Sequence, residues 1–175
     1  NETLPTNVTA ECDSIPTATV LTADDNCGTA TVTMNETTAA GSCDNNYTIT
    51  RIWTATDACN NTATCDQIIT IMDNTPPTIV CPSTLTVDND PRICGANVTF
   101  AATATDGCGS TTIAYSHASG SLFGLGTTTV TATATDECNN TSSCTFDVTV
   151  NDTEAPNAVC QNVTVSLDAN GSASI

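Results

Sequence analysis

Asp57 and Asp136, Cys59 and Cys138, and Cys65 and Cys144 form three pairs, each separated by 79 residues. A constant offset of that size marks a chain built from repeated modules, each big enough to close one small core. Upstream, Asp25-Asn26-Cys27-Gly28 recurs as Asp106-Gly107-Cys108-Gly109, and the proline-bearing stretch at residues 73–77 recurs at 152–156. Module one is therefore expected over residues 1–74 and module two over 75–152. Residues 153–175 repeat the opening of module two and read as the first strand or two of a third module. The chain reads as a section of a longer array.

Inside each repeat the apolar residues alternate, as in Val98-Phe100, Val130-Ala132-Ala134 and Phe146-Val148-Val150. Period-two patterning marks half-buried strands. Strand runs recur every 10 to 15 residues with Gly, Asn and Asp between them, and no helical period intervenes. The expected fold is all-β: tandem immunoglobulin- or fibronectin-III-like sandwiches of two antiparallel sheets. In that topology the loops after the second strand (Cys27, Cys108) and the sixth (Cys59, Cys138) share one end. The turn after the first strand and the chain exit lie at the other end.

Composition removes several classes of function. The chain carries 2 Lys+Arg against 19 Asp+Glu, a net charge of −17, and 11 Cys. Binding nucleic acid requires cations against phosphate, so no nucleic-acid partner is expected, and an anionic membrane would repel the chain. No apolar run is long enough to insert into a bilayer, and neither a signal sequence nor an anchor is seen. With so many cysteines and one His the pattern is that of disulfides, which persist in oxidising compartments, so the expected location is extracellular. Sequons at Asn7, Asn35, Asn46, Asn97 and Asn162 are glycosylation candidates for such a protein. Catalysis lacks residues. There is no Lys, and His117 stands alone in a strand-to-turn segment, so no enzyme is expected.

The strings CPSTLTV, SGSLFGLGTTTVTATATD and CTFDVTV make module two similar to a hyalin repeat (HYR) domain. Module one, with DDNCG and YTITRIWTATDACNNTATC, resembles the modules found beside such repeats in very large secreted bacterial surface proteins. The resemblance implies a spacer or adhesive unit of a cell-surface stalk or filament. Its partners would be neighbouring modules or copies of the same protein, with recognition of surface glycans or proteins as the alternative. The resemblance departs at Asn60-Asn61 and Asn139-Asn140, where many relatives have Gly-Asn.

Carboxylates clustered in loops and junctions provide the hard oxygen ligands that calcium takes. Asp57 and Asn60, and Asp136 and Asn139, lie in equivalent loops near Asp24, Asp25 or Asp106; Asp73, Asp152 and Glu154 lie at the junctions. Calcium is the one cofactor expected. In the strand before Cys59, Arg51 aligns with Val130, and Gln67 aligns with Phe146, so both polar side chains are expected to face inward, opposite each other.

Reach and topology narrow the disulfides. Cys94 and Cys108 bracket about 14 extended residues, and at ~3.3 Å per residue their Cα atoms stand far beyond the ~7 Å that a bridge spans. Loops sharing an end favour Cys27–Cys59 and Cys108–Cys138, strand starts favour Cys81–Cys144, and the opposite end favours Cys12–Cys43. Cys94 is expected to meet Cys160, leaving Cys65 free or bonded to another chain. Local Cys59–Cys65 and Cys138–Cys144 pairs are the rival map.

Overall fold

The computed structural model describes residues 3–161 and 164–172, and every regular element in them is a strand. The first set comprises β1 (Val8–Ala10), β2 (Asp24–Asp25), β3 (Gly28–Thr29), β4 (Thr31–Ala40), β5 (Tyr47–Thr56) and β6 (Thr62–Ile71). The second comprises β7 (Thr78–Val80), β8 (Leu85–Asp88), β9 (Gly95–Asn97), β10 (Thr103–Thr105), β11 (Thr111–Tyr115), β12 (Leu122–Gly124), β13 (Gly126–Asp136) and β14 (Thr141–Asn151). Ladders run only within each set, and the two sets are called here modules one and two.

Both modules are built around the same four-stranded sheet, in the order β1-β6-β5-β4 and β11-β13-β14-β8. Its first strand runs parallel to its last, Val8 opposite Ile69 and Leu85 opposite Val148, while the other pairs are antiparallel. In module two a second layer, made of the pairs β7-β10 and β9-β12, completes the sandwich. Around Pro82 the first strand of module two breaks into β7, which pairs with β10, and β8, which pairs with β14, so it passes from one layer to the other. Cys81, just past β7, is joined to Cys144 on β14 and ties the layers together.

The alternating residues of β13 and β14 fill the core of module two: Val130, Phe146, Val148 and Val150 are buried with Val98 and Phe123. Phe100 meets Tyr115, Phe123 and Phe146 edge-on at 5.2, 6.0 and 4.9 Å. Each fully buried aliphatic or aromatic side chain contributes ~1.5–3 kcal/mol, so this cluster carries most of the module's apolar stabilisation.

Module one has a thinner core of Ile49, Ile69 and Ile71, with Ala10, Cys12 and Tyr47 against it. Residues 13–23 contain no strand but lie over the sheet, where the Trp53 indole donates to the Thr19 carbonyl at 3.0 Å. Arg51 and Gln67 are buried and directly opposite each other in the β5–β6 ladder. They bond outward along the sheet instead of to each other. Arg51 Nε donates to Glu36 on β4 at 2.7 Å, and Gln67 Nε2 donates to the Thr6 carbonyl at 2.9 Å. The described residues beyond 152 form no strand; Asp168 only closes a turn onto Ser172.

Candidate metal centre at the module junction

The two modules meet where the exit end of one faces the entrance loops of the next. Each entrance loop is organised by an aspartate. In the β13–β14 loop Asp136 Oδ1 accepts from the backbone N–H groups of Cys138 and Asn140, both at 2.8 Å, while Oδ2 accepts from the Asn140 amide at 2.9 Å. Asn139 takes a positive φ of 68°, a left-handed position that Asn occupies more readily than most residues. That conformation answers the Asn-for-Gly departure, because Asn fills the turn position where relatives carry Gly. Asp106 accepts from the Cys108 N–H at 2.7 Å.

From the other side comes the exit of module one. Asn46 accepts from the Asp73 N–H at 2.6 Å, and Asn140 reaches across to the Asp73 carbonyl at 3.1 Å. The Glu11 carboxylate accepts from the Asn74 N–H at 3.2 Å. The result is an acidic nest. Carboxylate oxygens of Asp73, Asp106 and Asp136 all lie within 4.8 Å of one another, and Glu11 is as close to Asp73. Asp73 is 3% exposed and its Oδ2 has no hydrogen-bond partner. Burial pushes its carboxyl above the usual carboxylate value; Asp106, Asp136 and Glu11 add repulsion, and the Thr75 N–H pulls the other way. Clustered oxygen donors, buried at Asp73 and Asp136 and half-buried at Asp106 and Glu11, fit a hard divalent cation.

Two disulfides flank the nest, Cys12–Cys108 and Cys43–Cys138. They replace the expected Cys12–Cys43 and Cys108–Cys138. The reason is geometric: Cys12 and Cys43 do sit at the exit end, but that end is pressed against the entrance loops of module two, which carry Cys108 and Cys138. Gly109 makes the approach possible, since a Cβ there would stand 2.6 Å from the Asn45 amide. Asn45 also donates to Glu137 at 3.1 Å. The expected Cys27–Cys59 and Cys94–Cys160 bridges are absent: all four are exposed thiols, and Cys65 is a half-buried one. Cys65 has no bridge because Leu4 stands where module two has Cys81, and both line one cavity.

The remaining candidate residues fall elsewhere. Asp57 and Asn60 lie at the far, entrance end of module one, where the Asn61 side chain and backbone, with the Cys59 N–H, hold the Asp57 carboxyl below its usual value. Asp152 and Glu154 lie at the exit of module two, Glu154 accepting from the Arg92 N–H at 2.6 Å. Among the sequons, Asn35 and Asn97 are exposed on strands, Asn7 accepts from the Ile68 N–H, and Asn46 is committed to Asp73 and Ser42. Asn162 lies outside the described residues. Glu11 is the member of the nest that sequence reasoning misses, because nothing in its local pattern separates it from any acidic residue at a strand end.

Residues 72–150 match the HYR domain. The matched segment begins one residue before Asp73 and contains Asp106 and Asp136, leaving only Glu11 of the nest outside it. The HYR domain is an immunoglobulin-like, extracellular, adhesion-type module. Among solved structures, a protocadherin gammaB7 EC3-6 cis-dimer is similar at 16% identity over 84% of this chain and 46% of that one, with a TM-score of 0.37. Protocadherin gamma C5 EC1-3 is similar at 13% identity over 84% and 66%, with a TM-score of 0.34. The human desmocollin-1 ectodomain is similar at 13% identity over 66% and 29%, with a TM-score of 0.26. The chain thus spans less than two thirds of the length of each. No curated protein matches it. Among the described residues no helix is long and apolar enough to cross a membrane.

Proposed function

We propose that this chain is a structural and adhesive repeat segment of an extracellular stalk or filament, and that its module junctions are stiffened by calcium held between disulfides. One observation carries the reading: the buried, unpartnered Oδ2 of Asp73 points into a nest of three further carboxylates at the junction. In a chain of net charge −17 with a single ion pair among the described residues, these carboxylates have no protein cation near them. Asp73, Asp106, Asp136 and Glu11 would supply the ligands. A bound divalent ion would remove the repulsion and couple the exit of one module to the entrance of the next.

The test is thermal melting in calcium and in chelator at fixed ionic strength. Extracellular calcium modules bind at ~10⁻⁴–10⁻³ M, so saturation at ten to a hundredfold excess adds about 1.4–2.7 kcal/mol. For a chain of this size that raises the Tm by roughly 3–10 °C. Asp73→Asn should abolish the rise. An identical Tm in both buffers removes calcium from the junction.

A further inference from the structure

Among the described residues β4 is the one long edge strand. It runs ten residues along the outside of its sheet, whereas the other outer strands of the two four-stranded sheets, β1, β8 and β11, run three, four and five. The difference has a local cause. In module two the chain leaves the sheet after Tyr115 and crosses into the second layer as β12. In module one it stays paired from Thr31 to Ala40 and turns straight back into β5, the Gly41 N–H donating to the Asn46 carbonyl at 2.7 Å. The ladder to β5 is unbroken, so no bulge bends the edge away. Natural edges are blunted by shortness, Pro, Lys or a bulge, and TVTMNETTAA has none of these. Alternate backbone N–H and C=O groups along β4 point away from β5, and no other strand pairs with them among the described residues.

Modules in series leave this edge open. Modules one and two meet at their ends, through Cys12–Cys108, Cys43–Cys138 and the bond from Asn140 to Asp73, and β4 takes no part. The edge suits a copy of itself. Outward-facing groups belong to every second residue, so two β4 strands can pair antiparallel about a twofold only in registers that set one residue opposite itself. Two such registers leave a single residue of β4 unpaired. One centres on Glu36 and sets two carboxylates face to face. The other centres on Asn35 and sets Met34 opposite Glu36, Thr33 opposite Thr37 and Val32 opposite Thr38. Like charges directly opposite destabilise a ladder, so the register centred on Asn35 is the one that fits. Overall charge permits it. A chain of net charge −17 repels its copies, but the one charge on β4, Glu36, is held by Arg51 at 2.7 Å, so the strand is locally neutral. At physiological salt, exposed charges are screened beyond ~8 Å.

We propose that β4 is a homophilic docking edge, to which module one of a second copy adds its own β4 antiparallel about a twofold at Asn35. The sheets of the two copies then run together as one. β4 starts at the entrance end, where Thr31 pairs with Thr56 beside the Asp57 loop, and finishes at the exit end, where Ala40 pairs with Tyr47 near Cys43. The two copies therefore lie side by side and point in opposite directions, as stalks from two facing surfaces would. Asn35 is also a sequon residue, so a glycan there would stand on the twofold and block the pairing. The edge gives the adhesive part of the proposed function a surface and rests on that reading, but the pairing itself uses neither calcium nor a free thiol.

The full chain, free of glycan at Asn35 and with its exposed thiols alkylated, is sedimented at physiological salt over a range of concentrations. Its mass should double as the concentration rises. Thr33 and Thr37 are exposed and face each other across the twofold, so Thr33→Lys with Thr37→Lys sets like charges opposite twice and should leave a monomer. Thr33→Lys with Thr37→Glu sets opposite charges there and should restore the dimer, with the same Tm as the double-Lys variant. Asn35→Cys, oxidised before alkylation, should give a covalent dimer whose peptide joins position 35 of both copies. A chain that is monomeric at every concentration overturns the proposal, including one that captures only a strand of another protein. So does a dimer that survives the double-Lys change, a Lys–Glu variant that stays monomeric, or a dimer with no link at position 35. The calcium rise in Tm is read on the same samples. Its persistence in a monomeric chain removes the pairing and leaves the calcium junction standing, and its absence from a chain that dimerises does the reverse.

Discussion

Arg51 is one of two basic side chains in the protein, and it is buried. An isolated charge in such a position costs several kcal/mol, so the strand is viable only because Glu36, directly opposite on β4, takes the guanidinium. Removing one member of a fully buried pair costs ~3–5 kcal/mol, and Glu36 is partly in water, so Glu36→Ala is expected to cost about 2 kcal/mol by chemical denaturation. The double variant Arg51→Val with Gln67→Phe installs the Val130–Phe146 pair found in module two. It should destabilise less than Glu36→Ala, since an apolar pair leaves no stranded charge. The inward placement of Arg51 was legible from its alignment with Val130. Its partner was not, because the pairing of β4 with β5 depends on a long hairpin that module two lacks.

Asp73 sets a pH dependence of definite sign. Burial raises its folded pKa above the ordinary aspartate value, so without calcium the folded state takes up a proton before the unfolded state does. Stability in chelator is therefore expected to rise as pH falls from neutrality through the raised pKa and on toward the ordinary aspartate value, once other carboxylates are matched by an Asp73→Asn control. The wild-type chain should show the gain and the variant should not.

At the scale of elements, the alternation in β13 and β14 and the Asp–Asn loops could be read directly, because period-two burial and Asx turns are local properties. The second layer of module one could not. Residues 13–23 run beside the sheet without a ladder, and neither Pro16 nor the Thr-rich run beside it carries a strand period. The turn at Asn139 offers a check on local geometry. A β-carbon residue other than Asn pays about 1 kcal/mol in the left-handed region, so Asn139→Ala should lower stability by about that amount, while Asn139→Gly should be neutral or slightly stabilising. Equal losses for both would place the role of Asn139 in its side chain.

At the scale of the molecule, what could not be read from the sequence was the direction of the cross-links. The reach argument put the right cysteines at the right ends, but a module has two ends, and a cysteine at the exit faces the next module before it faces its own. Loops of about 95 residues closed by Cys12–Cys108 and Cys43–Cys138 are each of a length for which one bridge contributes about 4–5 kcal/mol; the second adds less because the first already confines the chain. Two bridges on either side of an acidic nest also prevent the modules from rotating about their linker, which is the property a stalk requires.

The most direct measurement is a peptide map of the non-reduced protein. Peptides linking Cys12 to Cys108 and Cys43 to Cys138 are expected, together with Cys81 to Cys144. A peptide linking Cys12 to Cys43, or Cys108 to Cys138, would mean that each module closes on itself and that no locked junction exists.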